Sequence, residues 1–474
     1  MLTYDFSGIK GSMYAHLYAC IKNDIRSGQL HPAEKLPSKR MLAKHLGVSL
    51  ITVENAYAQL LVEGYIFSRP KRGYFVAQLP RQEQLPPLPP SKINANAAAP
   101  EKKPAAAYFA DFAGSSVPPE SFPYNIWARL LRRTLTVTDE HELLGDTSAA
   151  GVLPLRQALA EYLYQFRGVV VAPEQIIIGA GTQTLYNILV QLLGRSRIYA
   201  LEDPGYPRLA QVYASNDVFC RYLPMDDKGI RADILARSDA DILHITPSHQ
   251  FPTGIVMPVQ RRYELLQWAG QSGSRYIIED DYDCEFRHYG RPIPSLQSID
   301  RQEKVIYINT FSKTLAPTFR ISYMLLPPHL AQLFHKKLGF YSCTVSNLEQ
   351  FTLAEFIRQG YLERHINRMR TYYRNKRDAL LEHIARSSVA ASLKIEGEDS
   401  GLHFLLHLKT LASDGELIRA ARAAGINVRF LSQYYRQPLN DFSHTMLMNY
   451  AGQSSERLLP ALDKLFEALA PYLG

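Results

Sequence analysis

Three segments of the sequence join an apolar run to side chains that can do chemistry, and one of them contains a lysine. The apolar run at 305–308 is followed by Thr310, Ser312 and Lys313. A lysine directly after a buried strand is costly to keep charged, so desolvation can make its amine a Schiff-base nucleophile. Arg320, a short distance later in the chain, can clamp a phosphate. Taken alone, the segment also fits a surface lysine at the end of a strand.

A second segment places small residues between an apolar strand and a helix. Residues 175–178 predict the strand, Gly181, Thr182 and Gln183 lie in the turn, and an apolar helix follows from Leu185. Backbone N–H groups at such a helix N-terminus bind anions, typically phosphate. The segment lacks the third glycine of a dinucleotide fingerprint and the Gly-Lys pair of a P-loop, which favours a single phosphate. A plain tight turn is the alternative interpretation.

The third segment, at 275–283, ends an apolar strand in acidic residues. Alternate side chains of an extended strand share a face, so Asp280 and Tyr282 point to one side and Glu279 and Asp281 to the other. Clustered carboxylates also bind Mg²⁺ or Ca²⁺, so a metal site is the rival interpretation. The sequence has no second acidic cluster of suitable spacing, which argues against a metal.

The three segments lie in a region where helical and strand patterns alternate from Ala110 onward. This alternation is typical of an α/β domain with a mostly parallel central sheet. Ligands of such sheets bind beyond the carboxyl ends of the strands, where all three segments place their polar residues. Together the three segments indicate pyridoxal 5′-phosphate as the cofactor. They provide a phosphate-binding turn, an acid that can pair with the pyridine nitrogen and a lysine that can bond to the aldehyde.

In order and spacing, the segments resemble those of the fold type I aminotransferases, as do the stretches EDPGYP at 202–207 and TPSHQFPTG at 246–254. The resemblance implies that Lys313 forms the internal aldimine, that Asp280 pairs with the pyridine nitrogen and that Tyr282 bonds the phenolic oxygen. It also implies that Tyr206 lies near the ring or the substrate. The residues that would surround the phosphate are Gly181, Thr182, Gln183, Thr310, Ser312 and Arg320.

The first 77 residues predict three helices followed by a β-hairpin. Ser38 and Ser49 precede the second and third helical patterns as N-caps, and Gly47 turns the chain between them. Helix, tight turn and helix form a helix-turn-helix, which inserts the start of its last helix into the major groove of DNA. The apolar runs at 65–67 and 74–76 bracket a cationic tip, which predicts a wing. A three-helix protein-interaction module is the alternative.

Basic residues of this region are predicted to reach phosphates, and the start of the third helix is predicted to reach base edges. Residues 1–77 hold ten Lys and Arg against five Asp and Glu, so most of the net charge of +8 is concentrated there. The predicted DNA-contacting residues are Lys39, Arg40, Lys44, Ser49, Leu50, Ile51, Thr52, Arg69, Lys71 and Arg72. The residues of the second helix predicted to face inward are Met41, Leu42, His45 and Leu46.

The stretch at 28–76 resembles the winged helix-turn-helix of the GntR family of bacterial transcription regulators, and Arg40 matches the arginine of its L-P-S-x-R motif. Leu50 stands where members of that family often carry arginine, so the base contact of that arginine is not carried over.

A GntR-type domain joined by a long linker to an aminotransferase-like domain is the architecture of the MocR/GabR regulators. This resemblance implies that Arg208 and Arg429 bind the carboxylate of an effector.

Two departures from the aminotransferases argue against efficient transamination. Phe251 precedes the P-T-G sequence, where aminotransferases usually have asparagine, and the stretch at 446–452 lacks the arginine that binds their substrate carboxylate.

Composition and length predict two folded domains of unequal size. The 474 residues are 46% hydrophobic and 21% charged, which excludes a chain that is disordered throughout. Residues 78–107 are rich in Pro and Ala and predict a linker between a winged helix-turn-helix domain at 1–77 and an effector domain at 108–474.

The four cysteines show no pairing that would suggest a disulfide framework or structural zinc site. No apolar run approaches the ~18 residues of a membrane span and no leader pattern is present, so we expect a cytoplasmic protein.

The sequence therefore predicts a pyridoxal-phosphate-dependent transcription regulator that binds double-stranded operator DNA and senses an amino compound through external aldimine formation at Lys313. The resemblance to fold type I domains implies a homodimer. Two alternatives stay open: a sensor of pyridoxal 5′-phosphate itself that controls vitamin B6 supply, and an active aminotransferase with a DNA-binding appendage.

Overall fold

A computed structural model describes residues 2–6, 11–79, 108–114, 118, 121–288, 294–436 and 443–474. The chain divides into two compact units, Met1–Lys103 and Pro104–Gly474. Most of the predicted linker, residues 80–107, lies outside the described residues. Within the described part of the chain, no helix is long and apolar enough to cross a membrane.

The described residues of the first unit form three helices and a hairpin around one apolar core. Ser38 Oγ accepts a hydrogen bond from the Met41 N–H at 3.3 Å, and Ser49 Oγ accepts one from the Thr52 N–H at 3.1 Å. Both predicted N-caps are thereby confirmed. The elements are α1 (Met13–Ser27), α2 (Lys39–Leu46), α3 (Leu50–Val62), β1 (Ile66–Arg69) and β2 (Gly73–Val76).

The prediction of the inward face of α2 is wrong in part. Leu42 is buried and Leu46 is half-buried, whereas Met41 and His45 are exposed. Leu42 and Leu46 lie four residues apart and define the buried face, so the residue before each of them points about 100° away.

The hairpin confirms the predicted wing. β1 and β2 pair antiparallel, with Ile66 opposite Val76 and Arg69 opposite Gly73. Lys71 at the tip has a positive φ of 60°. The residues from 68 to 73 are all exposed, so the tip presents its cations to solvent.

The second unit is built on an eight-stranded sheet, counted over the described residues. Its order is β4-β11-β10-β9-β8-β5-β6-β7, and β11 and β7 are the antiparallel strands. The carboxyl ends of the parallel strands therefore meet at one edge, which confirms the predicted mostly parallel α/β sheet. The strands are β4 (Ile176–Gly179), β5 (Tyr199–Asp203), β6 (Cys220–Asp226), β7 (Gly229–Ile230), β8 (Ile242–Ile245), β9 (Tyr276–Asp280), β10 (Val305–Thr310) and β11 (Ser322–Leu325).

Helices cover both faces of this sheet. The side chains of its central strands are therefore buried on both faces and are mostly apolar. In β10, Ile306 and Ile308 join one buried cluster, whereas Val305 and Tyr307 join clusters on the opposite face. The helices before the C-terminal part are α4 (Tyr124–Val137), α5 (Glu140–Leu144), α6 (Leu153–Arg167), α7 (Thr182–Leu193), α8 (Pro207–Ser215), α9 (Ala232–Arg237), α10 (Val259–Gly270), α11 (Leu296–Ile299), α12 (Pro328–Leu338) and α13 (Asn347–Arg358).

The C-terminal part of the second unit has its own apolar cluster under a four-stranded antiparallel sheet, in the order β12-β13-β16-β15. Its elements are α14 (Tyr361–Arg386), β12 (Leu393–Glu396), β13 (His403–Leu408), α15 (Asp414–Ala423), β14 (Ile426–Asn427), β15 (Arg429–Phe430), β16 (Thr445–Asn449) and α16 (Ser455–Leu469). β3 (Ala110–Asp111) pairs in parallel with β14 and so ties the start of the unit to this part.

Candidate functional site

The turn between β4 and α7 forms a cradle for an anion. Gly181 is the N-cap residue of α7 with φ at 86°, and a Cβ atom built on it would lie 2.2 Å from Nη2 of Arg320. Only glycine therefore lets the Arg320 guanidinium approach the first turn of α7, to which Thr182 and Gln183 belong. The first N–H groups of a helix have no acceptor within the helix. A guanidinium beside such N–H groups gives this turn the chemistry that a phosphate requires.

Hydroxyl groups at the end of β10 lie at the same edge of the sheet. Ser322 of β11 is paired with both Thr310 of β10 and Gly179 of β4. Ser322 Oγ donates to Thr310 Oγ1 at 2.8 Å, and Thr310 Oγ1 donates to Ser312 Oγ at 3.0 Å. Because Ser312 accepts at the end of this series, its own hydroxyl proton is available to a ligand oxygen.

Lys313 lies in the loop that follows β10. Burial lowers the pKa of its ammonium group to about 8, and the negative charge of Asp283 partly offsets this decrease. A larger share of the amine is therefore neutral near pH 7 than in an exposed lysine, as a nucleophilic role requires.

Asp280, at the end of β9, has one carboxylate oxygen without a partner. Its Oδ2 accepts a hydrogen bond from the Tyr186 hydroxyl and lies 3.6 Å from His244 Nε2. Its Oδ1 is buried and has no hydrogen-bond partner among the described residues. A buried, unsatisfied acceptor is costly, and the N–H of a protonated pyridine ring would satisfy it. Together with Lys313 and the anion cradle, this oxygen fits pyridoxal 5′-phosphate.

Neither partner of Asp280 was predicted from the sequence. Tyr186 lies four residues after Thr182 on α7, so helical spacing alone places it on the same face as the predicted phosphate ligand. His244 lies in β8, the strand beside β9, and its Nδ1 lies 2.7 Å from the Tyr213 hydroxyl. The sequence carries no local signal for this second partner.

Tyr282 lies in the loop after β9, so the strand alternation that predicted its direction does not apply to it. Its hydroxyl oxygen lies 3.2 Å from His249 Nδ1, which also lies 2.9 Å from Asp283 Oδ2. In the tautomer that carries its proton on Nδ1, His249 donates to Asp283 Oδ2 and leaves no acceptor at Nδ1 for the Tyr282 hydroxyl. The Tyr282 hydroxyl proton is then available to a ligand oxygen. The sequence analysis assigned no role to His249.

A cleft of about 240 Å³ beside these residues has aromatic walls. Tyr206 packs edge-to-face on Phe251 at 5.7 Å between ring centroids, and Phe251 packs on Tyr434 at 5.3 Å. Burial raises the pKa of the Tyr434 phenol, and the guanidinium of Arg429 partly offsets this rise, which places Arg429 beside that wall. Arg208 is exposed in the first turn of α8 and does not line the cleft. Of the two predicted effector ligands, the structure thus brings Arg429 near the cleft.

The other acids of the β9 segment bond to protein groups. Glu279 accepts hydrogen bonds from the Leu296 N–H at 2.7 Å and the Gln297 N–H at 2.9 Å. Asp281 forms an ion pair with Arg167, and the side chains of both are 1% exposed. No group of His, Cys, Asp and Glu that could hold a metal occurs in the described ranges.

Most of the predicted phosphate-contacting cations of the first unit are exposed. They are Arg40 and Lys44 on α2 and Arg69, Lys71 and Arg72 in the hairpin. The guanidinium of Arg69 stacks over the rings of Phe67 and Phe75 at 5.4 and 5.1 Å. Lys39 is half-buried, with its Nζ 3.5 Å from the Glu54 carboxylate, so its charge is already paired within the protein.

Known proteins resemble the chain over nearly its whole length. The model of bacterial regulatory proteins of the gntR family matches residues 13–76, and that of the class I and II aminotransferases matches residues 124–465. The HTH-type transcriptional regulator YdeL of Bacillus subtilis is 40% identical over 96% of each chain. The probable rhizopine catabolism regulatory protein MocR of Rhizobium meliloti is 34% identical over 96% of this chain and 93% of its own.

A solved structure shares the fold of the second unit. The multiple substrate aminotransferase from Thermococcus profundus superposes with a TM-score of 0.67 at 26% identity, over 77% of this chain and 92% of its own.

Proposed function

Since the chain belongs to the MocR/GabR-type transcription regulators, we propose that its second unit holds pyridoxal 5′-phosphate at Lys313 and senses a small amino compound. The amino compound changes how the protein binds operator DNA, because it has different affinities for two arrangements of the regulator. As a DNA-binding regulator the protein acts in the cytoplasm, and it works as a homodimer.

The observation that carries this proposal is the convergence of three groups at one edge of the sheet. They are the Gly181–Arg320 cradle, the unsatisfied Oδ1 of Asp280 and the buried amine of Lys313. Gly181, Asp280 and Lys313 lie at or just after the carboxyl ends of β4, β9 and β10. The chemistry of the three groups matches the phosphate, the pyridine nitrogen and the aldehyde of one cofactor. When bound, pyridoxal 5′-phosphate supplies an aldehyde carbon to which an amine can bond covalently.

This chain's own residues hold and orient the cofactor. Asp280 accepts the hydrogen bond of the pyridine nitrogen, Tyr282 donates to the phenolic oxygen, and Ser312 donates to the phosphate. The remaining phosphate ligands are Gly181, Thr182, Gln183, Thr310 and Arg320. Tyr206 covers the ring or the effector, and Arg429 binds the effector carboxylate.

We favour sensing over catalytic turnover because of the residues around the cleft. Phe251 puts an aromatic ring between Tyr206 and Tyr434, and β16 together with the residues after it, at 446–452, supplies no arginine. The effector carboxylate then depends on Arg429, which lies beside Tyr434 at the cleft.

The visible absorption of the purified full chain, loaded with pyridoxal 5′-phosphate, tests the proposal. We expect an absorption band that shifts with one member of a panel of amino acids and amines, without sustained product formation when a keto acid is added. Sustained turnover would favour an aminotransferase. An operator affinity that differs between the cofactor-free and loaded protein, with no response to any amine, would favour a sensor of the cofactor itself. Absence of any band would contradict the assignment of Lys313.

The lowered pKa of Lys313 predicts the pH dependence of cofactor loading. Only the neutral amine bonds to an aldehyde, so loading accelerates as the pH rises through the lysine pKa of about 8. We expect the loading rate to rise about fivefold from pH 7 to pH 8 and less than about twofold from pH 8 to pH 9. Stopped-flow absorption of the cofactor-free protein measures this rate. An increase of about tenfold over each unit would indicate an unshifted lysine pKa and contradict the burial of the amine.

Replacement of Arg40 tests the DNA-binding surface. Arg40 is exposed at the start of α2. We expect Arg40→Ala to weaken operator binding by about 1 to 3 kcal/mol if the guanidinium forms a bidentate contact with a base. Fluorescence anisotropy with labelled operator measures the change, and Arg26→Ala, which removes an exposed arginine of α1, is the control. Equal affinities of the two variants would remove Arg40 from the interface.

A further inference from the structure

The polar side chains at the start of α3 are engaged within the protein. Ser49 Oγ accepts the hydrogen bond of the Thr52 N–H, and its oxygen lies 2.8 Å from Thr52 Oγ1. Glu54, in the next turn, lies 3.5 Å from Lys39 Nζ. Ser49 and Thr52, the polar residues that the sequence predicts to contact bases, therefore already have hydrogen-bond partners within the protein.

The side chains that the first turn of α3 leaves to solvent are aliphatic. Leu50 is 39% exposed and Ile51 is 67% exposed. Neither can donate or accept a hydrogen bond, so neither can recognise a base through polar groups. In the major groove, the C5-methyl group of thymine is the apolar feature of the base edges.

The charges around this turn are complementary to the phosphates of DNA. Arg40 and Lys44 are exposed on α2, and Arg69, Lys71 and Arg72 are exposed in the hairpin. Cations on the preceding helix and on the wing of a winged helix-turn-helix neutralise the phosphates that flank the groove. The aliphatic pair thus belongs to a surface whose charge is complementary to a nucleic acid.

We infer that Leu50 and Ile51 recognise thymine in the operator through contact with its methyl group. The inference rests on the proposed DNA binding and adds the base that the start of α3 selects. The same contact buries aliphatic surface that is exposed in the protein alone, which favours binding through the hydrophobic effect.

Replacement of thymine by uracil tests this inference, because it removes the methyl group and leaves base pairing unchanged. High-affinity duplexes are first selected from a random-sequence pool with the full-length protein. Each thymine of a selected duplex is then replaced by uracil, and the affinity is measured by fluorescence anisotropy. We expect one or two thymines in each half-site at which the replacement weakens binding about three- to tenfold.

Variants of the protein assign the effect to the two side chains. In Ile51→Ala and Leu50→Ala, we expect weaker binding to the thymine duplex and little further loss on replacement by uracil. Val62→Ala is the matched control, because Val62 is 86% exposed at the other end of α3, and it should keep the full uracil effect. Both replaced residues are exposed, so the variants should retain the fold; circular dichroism checks this.

The outcomes separate this inference from the function on which it depends. If no duplex is enriched, the proposed DNA binding is wrong and the inference is overturned with it. If duplexes are enriched but uracil has no effect at any position, or has the same effect in the alanine variants, DNA binding stands and thymine recognition by Leu50 and Ile51 is refuted.

Discussion

Lys313→Ala is expected to abolish both the visible absorption band of the bound cofactor and the response to the effector. The amine of Lys313 is the group that bonds to the cofactor aldehyde, and alanine has no nucleophile to replace it. Operator binding without effector should stay within about twofold of the parent protein, because the winged helix-turn-helix has a separate core. Absorption spectroscopy and fluorescence anisotropy of the same preparation measure the two effects.

Lys336→Ala provides the matched control for this variant. Lys336 is exposed on α12, so its loss should leave the band, the effector response and operator binding unchanged. An effector response of normal size in Lys313→Ala would refute sensing through Lys313. Loss of all DNA binding in that variant would instead show that Lys313 supports the fold or the assembly of the protein.

Arg167→Met is expected to destabilise the second unit by about 3 to 5 kcal/mol, since it leaves Asp281 charged, buried and without its cation. Methionine keeps much of the apolar volume of the side chain, so the effect reports on the charge rather than on a cavity. Tyr307 still donates to Asp281 Oδ2 at 2.9 Å, but one hydroxyl does not replace a guanidinium. Denaturant unfolding monitored by near-ultraviolet circular dichroism measures the change in the free energy of unfolding.

Arg221→Met tests whether burial causes this loss. Arg221 forms an ion pair with Asp239 at 2.8 Å, but the two side chains are 47% and 51% exposed, so water replaces the lost partner. We expect little change in stability. The double variant Arg167→Met/Asp281→Asn should recover part of the loss, because the remaining buried group is then uncharged. Equal stabilities of Arg167→Met and Arg221→Met would contradict a structural role for the buried pair.

Local sequence patterns predicted most of the elements that carry the site. Serine caps, an apolar helical period and a cationic hairpin tip are short-range features, and α2, α3 and the wing form where they indicate. The same patterns failed for Met41 and His45. Each of them lies beside an apolar residue in sequence but on another side of the helix.

The sequence by itself determined which residue types lie at the ends of β4, β9 and β10. Strand alternation, glycine and the position of a lysine after an apolar run are properties of neighbouring residues, so these groups could be predicted together with a cofactor that they suit. Gly181 is one example, since its positive φ is a local requirement of the turn.

Only the tertiary structure decided what these groups contact. Tyr186 bonds to Asp280 across 94 residues of sequence, and Arg167 bonds to Asp281 across 114. Such contacts depend on how the helices pack against the sheet. That packing also determines which polar atoms are buried and which hydroxyl protons remain available to a ligand. The unsatisfied oxygen of Asp280 and the lowered pKa of Lys313 are therefore properties of the packed structure, because desolvation requires the surrounding elements to exclude water.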